Sequence, residues 1–137
     1  MTSGERASGP YSATVEDHFQ HPRNLGAMAD ADVVVETLNP VCGDLLKLYL
    51  CVDGDRISRA SFQAQGCPAA IAASSMTTVL LLGKTREEAR QITNTEVAQA
   101  LGGLPRAKMH CSVLAEEAIA LALDQWDTRE TVGTRGR

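Results

Sequence analysis

Three thiols, one imidazole and one carboxylate are the side chains in this sequence that could act together. Cys42 and Asp44 stand two apart in Asn39-Pro40-Val41-Cys42-Gly43-Asp44, where a strand begins. Residues i and i+2 of a strand share a face, so this thiol and carboxylate can reach one point. Cys67 lies in Gly66-Cys67-Pro68, and His110 and Cys111 are neighbours. Sulfur, imidazole nitrogen and carboxylate oxygen in this combination suit zinc or the iron of an iron–sulfur cluster. No two cysteines stand in C-x-x-C spacing, so a finger or ribbon is not indicated. Scattered core cysteines are the plain alternative.

The fourth thiol, Cys51, separates from the others on geometry. It follows Cys42 by nine residues on what reads as one strand. That places it about 30 Å away and on the opposite face from Cys42 and Asp44. Cys51 is therefore expected to be structural. Cys67 and Cys111 both fall near expected helix N-termini, where free N–H groups and the helix dipole favour a thiolate. A thiolate is the form that binds metal or attacks a persulfide sulfur. His110 adds a ligand or proton carrier, and Gly43 and Gly66 leave backbone room beside the thiols. His18 and His21 have no acid or Cys patterned around them and are expected at the surface.

These residues need a scaffold of modest size. The 137-residue chain fits one domain, 44% hydrophobic but only 4% aromatic, so its core must be aliphatic. A formal net charge of -4 argues against a nucleic-acid binder. No apolar run approaches the roughly 18 residues of a membrane span, and Met1 to Arg6 contain no signal-peptide core. The expected location is cytoplasmic, where four cysteines point to metal or catalysis rather than disulfides.

Residues 1–10 read as a flexible tail. Thr14 opens a short helix with Asp17 as its box partner, and Val15 and Phe19 anchor it. Pro22 limits it, and Asn24-Leu25-Gly26 reads as a turn. Val33 to Leu38 is a β-branched strand. From Asp44 to Val52, Leu46, Leu48, Leu50 and Val52 alternate with Lys47, Tyr49 and Cys51. Asp53-Gly54 marks a hairpin, and the return strand alternates Ala60, Phe62 and Ala64 with Ser61, Gln63 and Gln65. A small-residue helix follows from Cys67 to Leu82, with Pro68 at its first position and Gly83 at its end. Thr85 and Thr93 each open a capping box. A last helix runs from Met109 or Cys111 to Trp126, and residues 127–137 are expected to fray. The fold class is α+β: a two-layer arrangement of a three-stranded antiparallel sheet with helices packed on one face.

At these motifs the sequence resembles the iron–sulfur cluster assembly scaffolds of the IscU/NifU N-terminal-domain family. The matching segments are His21-Pro22-Arg23-Asn24-Leu25-Gly26, Asn39 to Asp44, Gly66 to Ser75, and Lys108-Met109-His110-Cys111-Ser112-Val113-Leu114-Ala115. The resemblance spans residues 11–126. It implies a scaffold or carrier rather than an enzyme, with a [2Fe–2S] cluster built transiently on Cys42, Cys67 and Cys111. Asp44 and His110 are the further ligands it implies. It also implies sulfur delivered as persulfide by a cysteine desulfurase onto Cys111, iron as the second ingredient, and handover to apo-proteins. A homodimer sharing the cluster is compatible with it. The alternative is a zinc-bound sulfur acceptor in persulfide transfer, since a Cys₃ set with His or Asp serves either metal.

Four points refine the resemblance. His110 precedes Cys111 with no insertion, unlike the zinc-dependent SufU relatives. The further domains of full NifU are not expected after Trp126. The family's Leu-Pro-Pro-Val-Lys site for an Hsp70-type chaperone is Leu104-Pro105-Arg106-Ala107-Lys108 here. Loss of the second Pro and the Val changes its stiffness and apolar contact. Pro68 also stands where the family usually has Gly, and stiffens that loop.

Overall fold

One hairpin and its returning helix set the frame. The computed structural model describes residues 11–39 and 43–136, with 129–136 described by backbone alone. The expected N-terminal tail and Cys42 lie outside the described residues. Strand β1 (Val33–Leu38), β2 (Leu45–Asp53) and β3 (Arg56–Gln65) form an antiparallel sheet in the order β1-β2-β3. The register places Val35 opposite Leu48 and Leu48 opposite Phe62, so the expected apolar face is continuous across all three strands. Gly54 carries φ 63 in the two-residue connection of β2 to β3, the left-handed conformation such a turn needs.

Two helices cover the apolar face. Helix α2 (Pro68–Leu81) packs on β3 and α5 (Met109–Gly136) on β1 and β2, with α2 and α5 touching. Helix α1 (Ala13–Gln20) leans on α2; α3 (Arg86–Arg90) and α4 (Asn94–Ala100) brace α5. Ala69, Ala72 and Ala73 let α2 approach the sheet closely, and Leu46, Leu48, Leu50 and Ile57 meet Leu114, Ala118 and Ala122 in one core. Phe62 and Trp126, each no more than 1% exposed, are the aromatic exceptions in an otherwise aliphatic interior. Two buried hydroxyls of α2 turn back to their own helix: Ser74 donates to Ala70 O at 2.8 Å and Thr77 to Ala73 O at 2.7 Å.

The outer face is less open than alternation suggested. Tyr49, Cys51 and Ser61 are all buried. The segment after α1 pairs Gly26 N–H with Phe62 O on β3, then Asp32 N–H with Leu50 O at the start of β1, and so crosses this face. Along the way Asp30 accepts from Cys51 through its carbonyl at 3.7 Å and pairs with Arg59. Cys51 is thus enclosed at the hairpin end of the sheet. The free edge of β1 is closed by α5: the Gln125 amide accepts from Val34 N–H and donates to Val34 O, both at 3.0 Å.

Four local expectations are corrected. Ser12, not Thr14, caps α1, its Oγ accepting from Val15 N–H at 3.0 Å and donating to Leu101 O. Phe19 is 37% exposed and anchors nothing. His18 takes its place, because positions 15 and 18 share the face turned to α2. It is buried, with Nδ1 2.8 Å from Ser75 Oγ. His21 is exposed as expected. Finally, α5 continues past Trp126, where Arg86 and Arg90 of α3 hold the Asp127 carboxylate. Arg86 also lies over the Trp126 ring at 4.8 Å.

The Ser75 hydroxyl accepts from Arg23 N–H and lies 2.8 Å from His18 Nδ1, to which it can donate its own proton. This suits a neutral ring, and burial, assisted by the Arg23 charge, lowers the His18 pKa below its ordinary 6.5. The unfolded chain therefore binds this proton more readily than the native one, and acid favours unfolding. Native stability should fall as pH drops below 6.5. His18→Gln should flatten that part of the profile, as read from urea midpoints between neutral pH and about pH 5.

Candidate functional site

The far end of the hairpin gathers the chemistry. Asp44 immediately precedes β2, Cys67 follows β3 and is the N-cap residue of α2, and His110 and Cys111 open α5. Because Leu45 pairs with Gln65, the entrance to β2 and the exit of β3 are side by side. Packing of α5 on β1 and β2 and of α2 on β3 then brings the last two residues to the same place. The loop before β2 is tied shut: Asn39 N–H donates to Asp44 O at 2.8 Å and Gly43 N–H to Asn39 O at 2.7 Å. Gly43 takes φ 78 to close it.

Cys111 Sγ is the hub. It lies 3.8 Å from Cys67 Sγ, 3.8 Å from Asp44 Oδ2 and 3.6 Å from His110 Nε2. His110 Nε2 is also 3.6 Å from Asp44 Oδ2. Ligand atoms on a tetrahedral ion with bonds of about 2.0–2.3 Å stand about 3.3–3.8 Å apart, so these spacings already match a metal polyhedron. Asp44, His110 and Cys111 form the one His/Cys/carboxylate group among the described residues whose donor atoms converge in this way. Cys111 and Asp44 are buried, whereas Cys67 and His110 are half-buried and leave the site open on one side. Beside His110 a recess of about 170 Å³ is lined by Leu38, Asn39, Val113, Leu114 and Glu117. Leu38 and Val113 are exposed at its rim.

The charge balance reverses one sequence argument. A helix start was expected to favour thiolate at Cys111. Burial instead pushes its pKa well up, and the neighbouring Cys67 and Asp44 push it further; only Lys108 opposes them. A buried thiol facing a second thiol and a carboxylate ionises only when a positive species arrives to compensate. Metal uptake therefore displaces protons from this site.

Asp44, Cys67, His110 and Cys111 come together; Cys42 lies outside the described residues, between Asn39 and Gly43 of the closed loop. Cys51 lies away at the hairpin end, paired opposite Arg59.

The sequence pattern of the NifU-like N terminal domain matches residues 10–132. The chain belongs to that family. It is 56% identical over 113 residues to a protein of Archaeoglobus fulgidus named iron-sulfur cluster assembly scaffold protein IscU 1, covering 82% of this chain and 74% of that one. The Rickettsia prowazekii scaffold protein IscU is 44% identical over 117 residues, 82% of this chain and 88% of its own. The N-terminal NifU-like protein of Brucella abortus superposes with a TM-score of 0.71 at 17% identity, covering 88% and 96%. That last likeness speaks for the fold alone.

In this NifU-like domain Lys108 carried no assignment from the sequence, and Gly66 was expected to leave room for thiols rather than for a carboxylate. Lys108 carries an ammonium whose pKa is raised chiefly by Cys67, then by Tyr11. Its place beside His110 in the motif was visible, but not its proximity to Cys67. Gly66 has a packing role. A Cβ there would sit 2.5 Å from Asp44 Oδ1 and 2.8 Å from its Cγ. Gly66→Ala should therefore push the carboxylate off His110 and Cys111. We expect zinc affinity to fall by about 10-fold or more, measured by competition with a chromophoric chelator.

Proposed function

We propose that this protein is a scaffold on which iron–sulfur clusters are assembled, in the manner its relatives' names describe, and that the cluster is of the [2Fe–2S] type. The observation that carries the reading is the convergence of Cys67, His110 and Asp44 on the Cys111 sulfur. In this reading Cys42, Cys67 and Cys111 are the thiolate ligands, with Asp44 and His110 completing the coordination of iron. Cys111 accepts sulfur as persulfide from a cysteine desulfurase, and the finished cluster passes to apo-proteins. The open side at Cys67 and His110, with the apolar rim of Leu38 and Val113, is where such partners gain access. An Hsp70-type chaperone would meet the altered segment Leu104 to Lys108. No described helix is long and apolar enough to cross a membrane.

The site must hold its cargo and also release it. Carboxylate oxygen is a harder donor than thiolate and suits a soft cluster less well. The Asp44 charge adds to that of the thiolates. Both effects favour departure, so Asp44 is read as the labilising ligand.

Anaerobic reconstitution with iron, a desulfurase and cysteine should give the visible absorption of a [2Fe–2S] cluster. Tight zinc binding with no such spectrum would make the protein a zinc-bound sulfur acceptor instead. Cys→Ser at positions 42, 67 and 111 should each weaken metal binding, whereas only loss of Cys111 should abolish primary persulfide loading in mass spectra. Cys51→Ala should keep full metal stoichiometry and cost at most about 1–2 kcal/mol of stability.

Asp44→Ala should still assemble a cluster and transfer it more slowly to an apo-ferredoxin, followed by the decay of absorbance. Equal or faster transfer would remove Asp44 from this role.

A further inference from the structure

We infer that Cys67 is the resolving thiol of Cys111, discharging a persulfide there as hydrosulfide and leaving a Cys67–Cys111 disulfide. This rests on the reading of Cys111 as sulfur acceptor and goes beyond it to say where the sulfide comes from.

The geometry points to Cys67. Its Sγ lies 3.8 Å from Cys111 Sγ. Among the described residues, the other two groups at similar range are a carboxylate and an imidazole, neither of which forms a stable bond to sulfur. A disulfide needs the sulfurs at about 2 Å, a closure that rotation of one side chain can supply. Cys67 is the less enclosed of the two thiols. It is half-buried, and although it occupies the N-cap position of α2, its sulfur caps no backbone N–H. Cys111, in contrast, is 2% exposed. The more open thiol is the attacking one and the enclosed thiol is the one attacked.

The step balances without an outside reductant. The Cys67 thiolate gives its electron pair to Cys111 Sγ, in line with the outer S–S bond. That bond breaks, and the outer sulfur leaves as hydrosulfide with the proton it carried. The sulfane sulfur gains two electrons, and the two cysteine sulfurs lose one each. A dithiol reductant then restores the thiol pair. The sulfide is released beside Asp44 and His110, where iron would be held. A metal already bound to both thiols would block the attack, so resolution belongs to the metal-free protein.

The test uses the full-length protein, reduced, metal-free and anaerobic. It is loaded with inorganic polysulfide, desalted, and followed by mass spectrometry and sulfide assay. In the wild type, the Cys111 persulfide should disappear as sulfide and a Cys67–Cys111-linked peptide appear in equal amounts. Cys67→Ser and Cys67→Ala should retain the persulfide and release sulfide at least about 10-fold more slowly, while Cys51→Ser should match the wild type. The linked peptide is read on the wild type and needs no variant to fold. A wild-type persulfide that persists on Cys111, a Cys42–Cys111 link in place of the expected one, or undiminished release from both Cys67 variants would overturn the inference. Loading by a desulfurase with cysteine is a separate arm. Failure there with normal discharge after polysulfide would count against Cys111 as acceptor and leave Cys67 as resolver.

Discussion

A thiol buried against a second thiol and a carboxylate is the constraint around which this molecule is built. Cys111, 2% exposed, faces Cys67 and Asp44. Burial disfavours its thiolate, and the two neighbours disfavour it further. Such a pocket favours whatever brings compensating positive charge to it.

Keeping those groups together requires rigid elements that meet at one end of the sheet. The β2–β3 register fixes Asp44 beside the exit of β3, and Gly66 lets the carboxylate lie against the backbone there. Helix α5 delivers Cys111 and is itself held at both ends of its described side chains: by the core near Leu114 and by Arg86 and Arg90 on Asp127. Gln125 ties it to the β1 edge, so a shift of α5 would break sheet-like hydrogen bonds as well as apolar contacts. On the far side, the Ser75 hydroxyl serves both His18 of α1 and Arg23 just after it. It is a polar point in a seam that is otherwise held by core residues such as Val15.

The parts of this fold legible in the sequence are those dictated by local rules. Alternation over Leu46, Leu48 and Leu50 with a Gly-containing turn gives the hairpin. Pro68, Gly83 and the Thr85 capping box mark helix ends, and these depend only on neighbours along the chain. The site was legible because Cys, His and Asp recur within short motifs beside glycines and expected helix starts. What misled were properties that need a second element. His18 looked like a surface group because Ser75 is far away in sequence, and Phe19 looked like an anchor until α1 was seen to turn another face inward. The strap over the outer face likewise could not be inferred from strand alternation, which sees one strand at a time.

The sequence by itself determined the donor types, the strand and helix framework, and the exclusion of Cys51 from the site. That exclusion used parity and distance along a strand, which are properties of the extended backbone alone. Only the tertiary structure decided that Cys67 and Cys111 are close enough to react and that Cys111 resists ionisation. It also decided that the Asp44 carboxylate fills the space Gly66 leaves open. Those are matters of desolvation and of contact between residues remote along the chain, and they have no local signature for a sequence to carry.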